Sequence, residues 1–172
     1  MFFTCVITLT IKEIIEENEK ATISSTILHA LPEWFGLPES TKQYITNSRN
    51  LTFFAYIEDH HPLGFIALKE TSPHTVEIYV MGVLKDFHKK GIGKKLFIAA
   101  EEYARDAGYS FMQVKTVKEG IYPEYDITNH FYQKMGFLEF ECIPDLWDEW
   151  NPCQIYIKSL LNLNKGEILC ER

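Results

Sequence analysis

The stretch that most restricts the fold runs from Thr75 to Gly108, TVEIYVMGVLKDFHKKGIGKKLFIAAEEYARDAG. Its first part, TVEIYVMGV, is apolar and β-branched and predicts a strand. Its last part, GIGKKLFIAAEEYARDAG, carries Ile92, Leu96, Ala99, Ala100, Tyr103 and Ala107 on one face and predicts an amphipathic helix. Gly108 is the residue type favoured just past a helix end. Between the two lies FHKKGIGKK, with Gly91 and Gly93 where the helix starts and Lys85, Lys89, Lys90, Lys94 and Lys95 set against Asp86. Glycine in a helical turn costs about 0.5–1 kcal/mol relative to alanine. A tight strand-to-helix turn explains one such glycine. A loop that receives an anion explains both. A helix N-terminus presents unpaired N–H groups and the positive end of its dipole, and missing side chains let a phosphate reach them.

These lysines stand in a chain of net charge -7, so the positive charge is local. The acidic balance argues against a nucleic-acid partner, because non-specific binding rests on neutralising phosphates with Lys and Arg. No run approaches the roughly 20 apolar residues of a membrane span, and no membrane partner is expected. The start, MFFTCVITLTIKEI, lacks a basic leader and a small-residue cleavage site, and is expected to be a first strand rather than a signal peptide. Cys5, Cys142, Cys153 and Cys170 form no C-x-x-C pair. They are expected to be reduced thiols of a cytoplasmic protein, with Cys153 in the core and neither a disulfide framework nor a zinc site. His60 and His61 sit beside Pro62 in EDHHPLG, a turn composition, and no metal is expected there or elsewhere.

At 172 residues the chain is expected to be one domain, residues 1–172, with 162–172 a loosely attached tail. ENEKATISSTILHAL places Ile23, Ile27, Leu28 and Leu31 at helical spacing, and PESTKQYITNSR reads as a shorter helix opened by Pro38. The aromatic loop PEWFGL joins them. LTFFAYIE and LGFIALKE read as a hairpin across EDHHP. After the central helix come a strand, YSFMQVKTV, a short helix, DITNHFYQKMG, and two last strands, FLEFECI and CQIYIKSLL. The order β-α-α-β-β-β-α-β-α-β-β predicts an α/β fold with a mixed central sheet of six to seven strands flanked by helices.

The loop segment HKKGIG, residues 88–93, is neither G-x-x-x-x-G-K-[ST] nor G-x-G-x-x-G. It resembles the [Gln/Arg]-x-x-Gly-x-[Gly/Ala] signature of the GNAT superfamily of N-acetyltransferases, with His88 where Gln or Arg usually stands. The resemblance extends to the strand directly before it and to FYQKMGF, which supplies Phe131, Tyr132, Gly136 and Phe137 at the family's spacing. WNPCQIYIKSL looks like the final strand of some bacterial members, so the likeness runs from about Leu51 to Leu161.

The resemblance implies a GNAT-like fold and acetyl-CoA as co-substrate. The diphosphate would lie on His88, Lys89, Lys90, Gly91, Ile92, Gly93 and Lys94, and the pantetheine arm would lie along parted strands against Met81, Gly82 and Val83. A family asparagine that contacts pantetheine falls at Tyr125, and Asn129 is the candidate substitute. Trp34 and Phe35 fall in the region that covers the acceptor, while Trp147 and Trp150 are expected to pack. The acceptor implied is a small-molecule or peptide amine, and many members are homodimers.

Forming an amide from a thioester makes three demands. The amine must lose a proton, and a free lysine amine holds it up to a pKa of about 10.4. The oxyanion needs a fixed donor. The departing thiolate needs a proton, for which the resemblance offers Tyr132. Strand alternation puts Glu77, Tyr79 and Met81 on one side and Ile78 and Val80 on the other, and Gly82 suggests a bulge or a close backbone approach. Glu77 is the candidate general base, with Glu70 the alternative. No cysteine falls in either motif, so direct transfer within a ternary complex is implied. The competing reading is a non-catalytic acyl-CoA-binding or sensing domain that kept the loop and lost turnover.

Overall fold

The computed structural model describes residues 10–161. Its elements are β1 (Thr10–Glu13), α1 (Glu17–His29), α2 (Pro38–Ser48), β2 (Thr52–Glu58), β3 (His61–Ser72), β4 (Thr75–Val83), α3 (Ile92–Asp106), β5 (Phe111–Val117), α4 (Pro123–Lys134), β6 (Leu138–Ile143) and β7 (Cys153–Ser159). This is the element order the sequence predicts. α4 starts at Pro123 rather than at Asp126, because a proline at the first helical position has no N–H to leave unpaired. The start of the expected first strand, residues 1–9, and the expected tail, residues 162–172, lie outside the described residues, as do Cys5 and Cys170.

The strands form one seven-stranded mixed sheet in the order β1-β2-β3-β4-β5-β7-β6. Only β4 and β5 run parallel among the neighbouring pairs. One face carries α1, whose Ile23, Ile27 and Leu28 pack on Phe53, Ala55, Phe65, Ala67 and Val80. The other carries α3 and α4, where Leu96, Phe97, Ala100, Ala104 and Tyr132 pack on Ile66, Leu68, Ile78, Met112, Val114 and Tyr156. The runs FFAY in β2 and LGFIAL in β3 are continuously apolar because helices cover both faces there. The β2–β3 hairpin turns on Asp59 and His60, both at positive φ (47° and 67°), as a two-residue primed turn demands. The inner stripe of α3 runs through Phe97 and Ala104, while Ala107, expected inside, is exposed.

β4 departs from a regular strand in two ways. Ile78 pairs with Leu68 and Val80 with Ala67, so Tyr79 is an extra residue bulged out of the ladder. One added residue in a period of two reverses every later side chain. Val76 and Ile78 therefore face α3, Tyr79 and Val80 both face α1 and α2, and Met81 and Val83 return to the α3 side. The expected grouping of Glu77, Tyr79 and Met81 on one face is thus corrected: Met81 lies opposite the other two. Gly82 marks a close approach. A Cβ there would stand 3.0 Å from the Ile27 side chain and 3.1 Å from that of Leu31, so glycine lets α1 close on the strand.

The second irregularity is where pairing stops. β4 and β5 are paired from Thr75–Phe111 to Ile78–Val114 and no further, though β4 continues to Val83 and β5 to Val117. β5 stays paired with β7 along its whole length, which holds it away from β4. The two strands part, and the gap opens toward the lysine-rich loop. Among the described residues, no helix is long and apolar enough to cross a membrane, and no three His, Cys, Asp or Glu side chains gather as a metal set. Cys142 and Cys153 are free thiols, and Cys153 is fully buried.

Candidate active site

The loop after β4 makes a 3-10 turn over Lys85–Phe87 and then two left-handed steps, Lys89 at φ 61° and Gly91 at φ 80°. Gly91 is the N-cap of α3, whose first internal bond runs from Lys95 N–H to the Gly91 carbonyl. The last bond before it runs from His88 N–H to the Lys85 carbonyl. Between them the N–H groups of Lys89, Lys90, Gly91, Ile92, Gly93 and Lys94 make no hydrogen bond among the described residues. No side chain caps the helix, and its first turn holds no acidic residue. Such a run of unpaired donors at a dipole's positive end is an anion cradle.

The two glycines serve the backbone differently. Gly91 adopts a φ that other residues resist, and a Cβ there would meet nothing within 4 Å. Gly93 has ordinary helical space on one side only, since a Cβ would come 3.3 Å from the Phe131 ring of α4. His88 does not extend from the loop. Its Nε2 lies 2.7 Å from the Val83 carbonyl and its ring meets Trp34 edge-on, so the imidazole pins the loop to the end of β4. Lys85 pairs with Glu33, Lys90 sits over the Phe87 ring and Lys95 over that of Tyr56, while Lys89 and Lys94 are exposed.

α4 forms the far wall of the gap. Tyr132 is buried with its ring edge-to-face against Phe131 and Phe137, and its hydroxyl makes no hydrogen bond among the described residues. Burial, with a smaller contribution from Tyr44, pushes its phenol well above the ordinary value, so it stays protonated. Asn129 is not an open donor. It is completely buried, its Nδ2 donating to the Val117 carbonyl (2.9 Å) and the Tyr125 carbonyl (2.7 Å), and its Oδ1 accepting from the Tyr156 hydroxyl (2.8 Å). The amide is built into the core, where it ties α4 to β5 and β7.

Glu77 lies on the α1–α2 face, buried, where β4 and β5 are still paired. Its Oε2 accepts from Gln113 Nε2 and from Lys115 Nζ, each at 2.7 Å, while Oε1 takes no hydrogen bond among the described residues. Glu70 is elsewhere. It accepts from the Tyr109 hydroxyl at 2.6 Å beside a recess of about 330 Å³ lined by Asn50, Leu51, Thr52 and Tyr103. Trp34 spans the outer end of the gap. Its indole N–H points to the Glu124 carbonyl and Thr128 Oγ1 of α4, and its own carbonyl accepts from the Tyr125 hydroxyl. Burial pushes the Tyr125 phenol up to about 12. Trp147 and Trp150 do not pack as expected: both are exposed in the β6–β7 connection, which Asp148 ties to the backbone of Trp150 and Asn151.

Residues 16–137, well over half of the chain, match the model of the acetyltransferase (GNAT) family. The chain belongs to that family. Among its relatives is the uncharacterized N-acetyltransferase YvbK of Bacillus subtilis (strain 168), 35% identical over 74 residues, or 43% of this chain. That match spans 44% of YvbK, less than half its length. Solved structures share the fold at low identity. A protein assigned to the GNAT family from Desulfovibrio desulfuricans superposes with a TM-score of 0.76 at 14% identity, covering 90% of this chain and all of that one (100%). YncA of Salmonella typhimurium, solved with acetyl-CoA, gives 0.69 at 16%, covering 93% and 98%. An aminoglycoside 6′-N-acetyltransferase complexed with coenzyme A gives 0.69 at 16%, covering 88% and 97%.

Sequence reasoning about this member of the acetyltransferase (GNAT) family passes over three residues of the candidate site. Gln113 and Lys115 alternate along β5 toward the α1–α2 face, a signal that is present in YSFMQVKTV but means nothing until β5 is set beside Glu77. Tyr44, on α2, meets Phe35 and Tyr79 edge-on, and burial first, then Tyr79, Glu77 and Cys153, raise its phenol above the ordinary value. Its hydroxyl makes no hydrogen bond among the described residues. Nothing local in PESTKQYITNSR marks it.

Proposed function

We propose that the protein is a cytoplasmic acetyl-CoA-dependent N-acetyltransferase that moves acetyl directly from the thioester to a primary amine of a small molecule or peptide. The observation that carries this is the cradle of six consecutive unpaired amides, Lys89 to Lys94, at the start of α3, opening onto the end of the gap between β4 and β5. The residues present fit a diphosphate: donors without partners, open space at Gly91, exposed Lys89 and Lys94, and no acidic side chain in the first turn. Acetyl-CoA would supply the activated acetyl group as a thioester.

The chain's own residues would do the rest. The backbone along Met81–Val83, paired with β3 but no longer with β5, suits an extended arm, with the Val83 carbonyl held by His88. Gly82 presents no side chain, and Met81 and Val83 face the α3 side. Tyr132 is held neutral by burial and has a free hydroxyl, which is what a proton donor to a departing thiolate requires. Glu77 keeps Oε1 unpaired and so is suited to take a proton from the acceptor ammonium, directly or through water, while Gln113 and Lys115 hold Oε2. His88 and Asn129 act at one remove, the first by anchoring the loop and the second by anchoring α4.

Isothermal calorimetry with coenzyme A and mass spectrometry with acetyl-CoA plus an amine panel test this reading. Coenzyme binding together with an acetylated product is the expected result. No uptake of coenzyme by the folded protein would overturn it, and binding without any product would favour the sensing domain.

A further inference from the structure

The acceptor side of the gap has a composition of its own. On the α1–α2 face, the Glu77 carboxylate is matched by the Lys115 ammonium at 2.7 Å, so the pair together presents no net charge to a ligand. Around it stand aromatic rings. Tyr44 is half-buried and meets Tyr79 with ring centroids 5.4 Å apart and Phe35 at 5.9 Å, both edge-on. The polar end of Tyr79 is occupied, its hydroxyl accepting from Asn47 Nδ2 at 2.7 Å. Another cation on this face, Lys69, lies over the Tyr79 ring at 5.6 Å. Two polar atoms of the set have no partner among the described residues: Glu77 Oε1 and the Tyr44 hydroxyl. Glu77 and Tyr79 share the α1–α2 face of β4, and the Tyr44 ring packs on that of Tyr79.

We propose that the acceptor is a monoamine with a flat, apolar body: its nitrogen meets Glu77 Oε1, and Phe35, Tyr44 and Tyr79 flank its body. This rests on the acetyltransferase reading and narrows it to one chemical class. A polycation, such as a polyamine or an aminoglycoside, brings several ammonium groups that each need a carboxylate once water is displaced. Here the Glu77 carboxylate is already shared with Lys115, whose charge repels a second ammonium. Aromatic rings reward a flat apolar body instead, each well-placed pair adding on the order of 0.5–1.5 kcal/mol, about two- to twelvefold in affinity. Tyr44 is then a specificity-determining residue. Lys115 is a positioning residue that both holds Glu77 and filters charge.

The test compares initial rates of acetyl transfer from acetyl-CoA to 2-phenylethylamine, spermidine and kanamycin by the full chain, beside calorimetry with coenzyme A. The wild type is expected to favour 2-phenylethylamine in kcat/KM by about tenfold or more. Tyr44→Ala, checked for folding by its melting curve, should raise KM for 2-phenylethylamine about tenfold and leave KM for acetyl-CoA unmoved. Lys115→Gln should narrow the gap between spermidine and 2-phenylethylamine. Preference for spermidine or kanamycin by a coenzyme-binding wild type would overturn the acceptor class alone and leave acetyl transfer standing. An unaltered preference in folded Tyr44→Ala would also overturn it. Coenzyme binding with no product from any amine would refute the inference together with turnover, and absence of coenzyme binding would remove the reading beneath it.

Discussion

Replacing Asn129 with alanine separates a residue that builds the site from one that touches the cofactor. The side chain is completely buried and satisfies three groups: the Tyr156 hydroxyl at 2.8 Å, the Val117 carbonyl at 2.9 Å and the Tyr125 carbonyl at 2.7 Å. The Tyr125 carbonyl keeps its helical partner, and Tyr156 keeps a longer contact with Gln133 at 3.3 Å. The Val117 carbonyl loses its side-chain donor and Tyr156 its better one. Buried groups left short of a partner cost about 1–3 kcal/mol each, so a loss of about 3 kcal/mol is expected. For a chain of this size that is a fall in Tm on the order of 6–12 °C. Coenzyme A affinity of the molecules still folded should stay as it was, while kcat falls because α4, which carries Tyr132, is no longer tied to β5 and β7. Differential scanning calorimetry and titration with coenzyme A read the two effects separately. A Tm shift under about 2 °C with weakened coenzyme binding would refute the core role and return Asn129 to the cofactor.

The same geometry sets three other outcomes. Tyr132→Phe removes a hydroxyl that has no hydrogen bond among the described residues, so the melting temperature should hold while kcat drops about a hundredfold, as measured in steady-state assays with and without saturating acetyl-CoA. Gly91→Ala meets no steric obstacle within 4 Å, so its cost is the left-handed backbone at φ 80° alone, about 1–2 kcal/mol by thermal melting, with weaker coenzyme binding if the loop relaxes. Tyr125 has its phenol raised to about 12, chiefly by burial, then by Tyr44 and Tyr122. The folded state therefore holds a proton that the unfolded chain releases above about pH 10. The stability this confers is present below about pH 10 and is lost as pH rises toward 12. Denaturant titrations between those values should show a shallower decline for Tyr125→Phe than for wild type.

Much of the fold is legible in the sequence because its signals are local. TVEIYVMGV and GIGKKLFIAAEEYARDAG differ in period, and Gly108, Gly136 and Pro38 mark element ends wherever they occur in space. Gly91 is legible for the same reason: its left-handed backbone belongs to the turn itself. Gly93 reads in the sequence as a second opening for an anion, yet Phe131 of α4 also demands it, a contact across 38 positions of sequence that no local pattern encodes (131 minus 93). Asn129 reads as one turn into a polar helix, and only the arrival of Tyr156 on β7 makes it a core residue.

By itself, the chain's order of residues determined the succession of strands and helices, the glycine-rich helix start and the family to which they belong, because propensity, periodicity and backbone freedom act within a few residues. Only the tertiary structure decided that β7 inserts between β5 and β6, that β4 and β5 part after Ile78 and Val114, and that the bulge at Tyr79 turns Met81 away from Glu77. It also decided that Gln113 and Lys115 meet Glu77 and that Tyr44 packs on Tyr79. Strand order and side-chain convergence are set by which surfaces bury each other best across the whole sheet, and that competition has no counterpart in any short stretch of sequence.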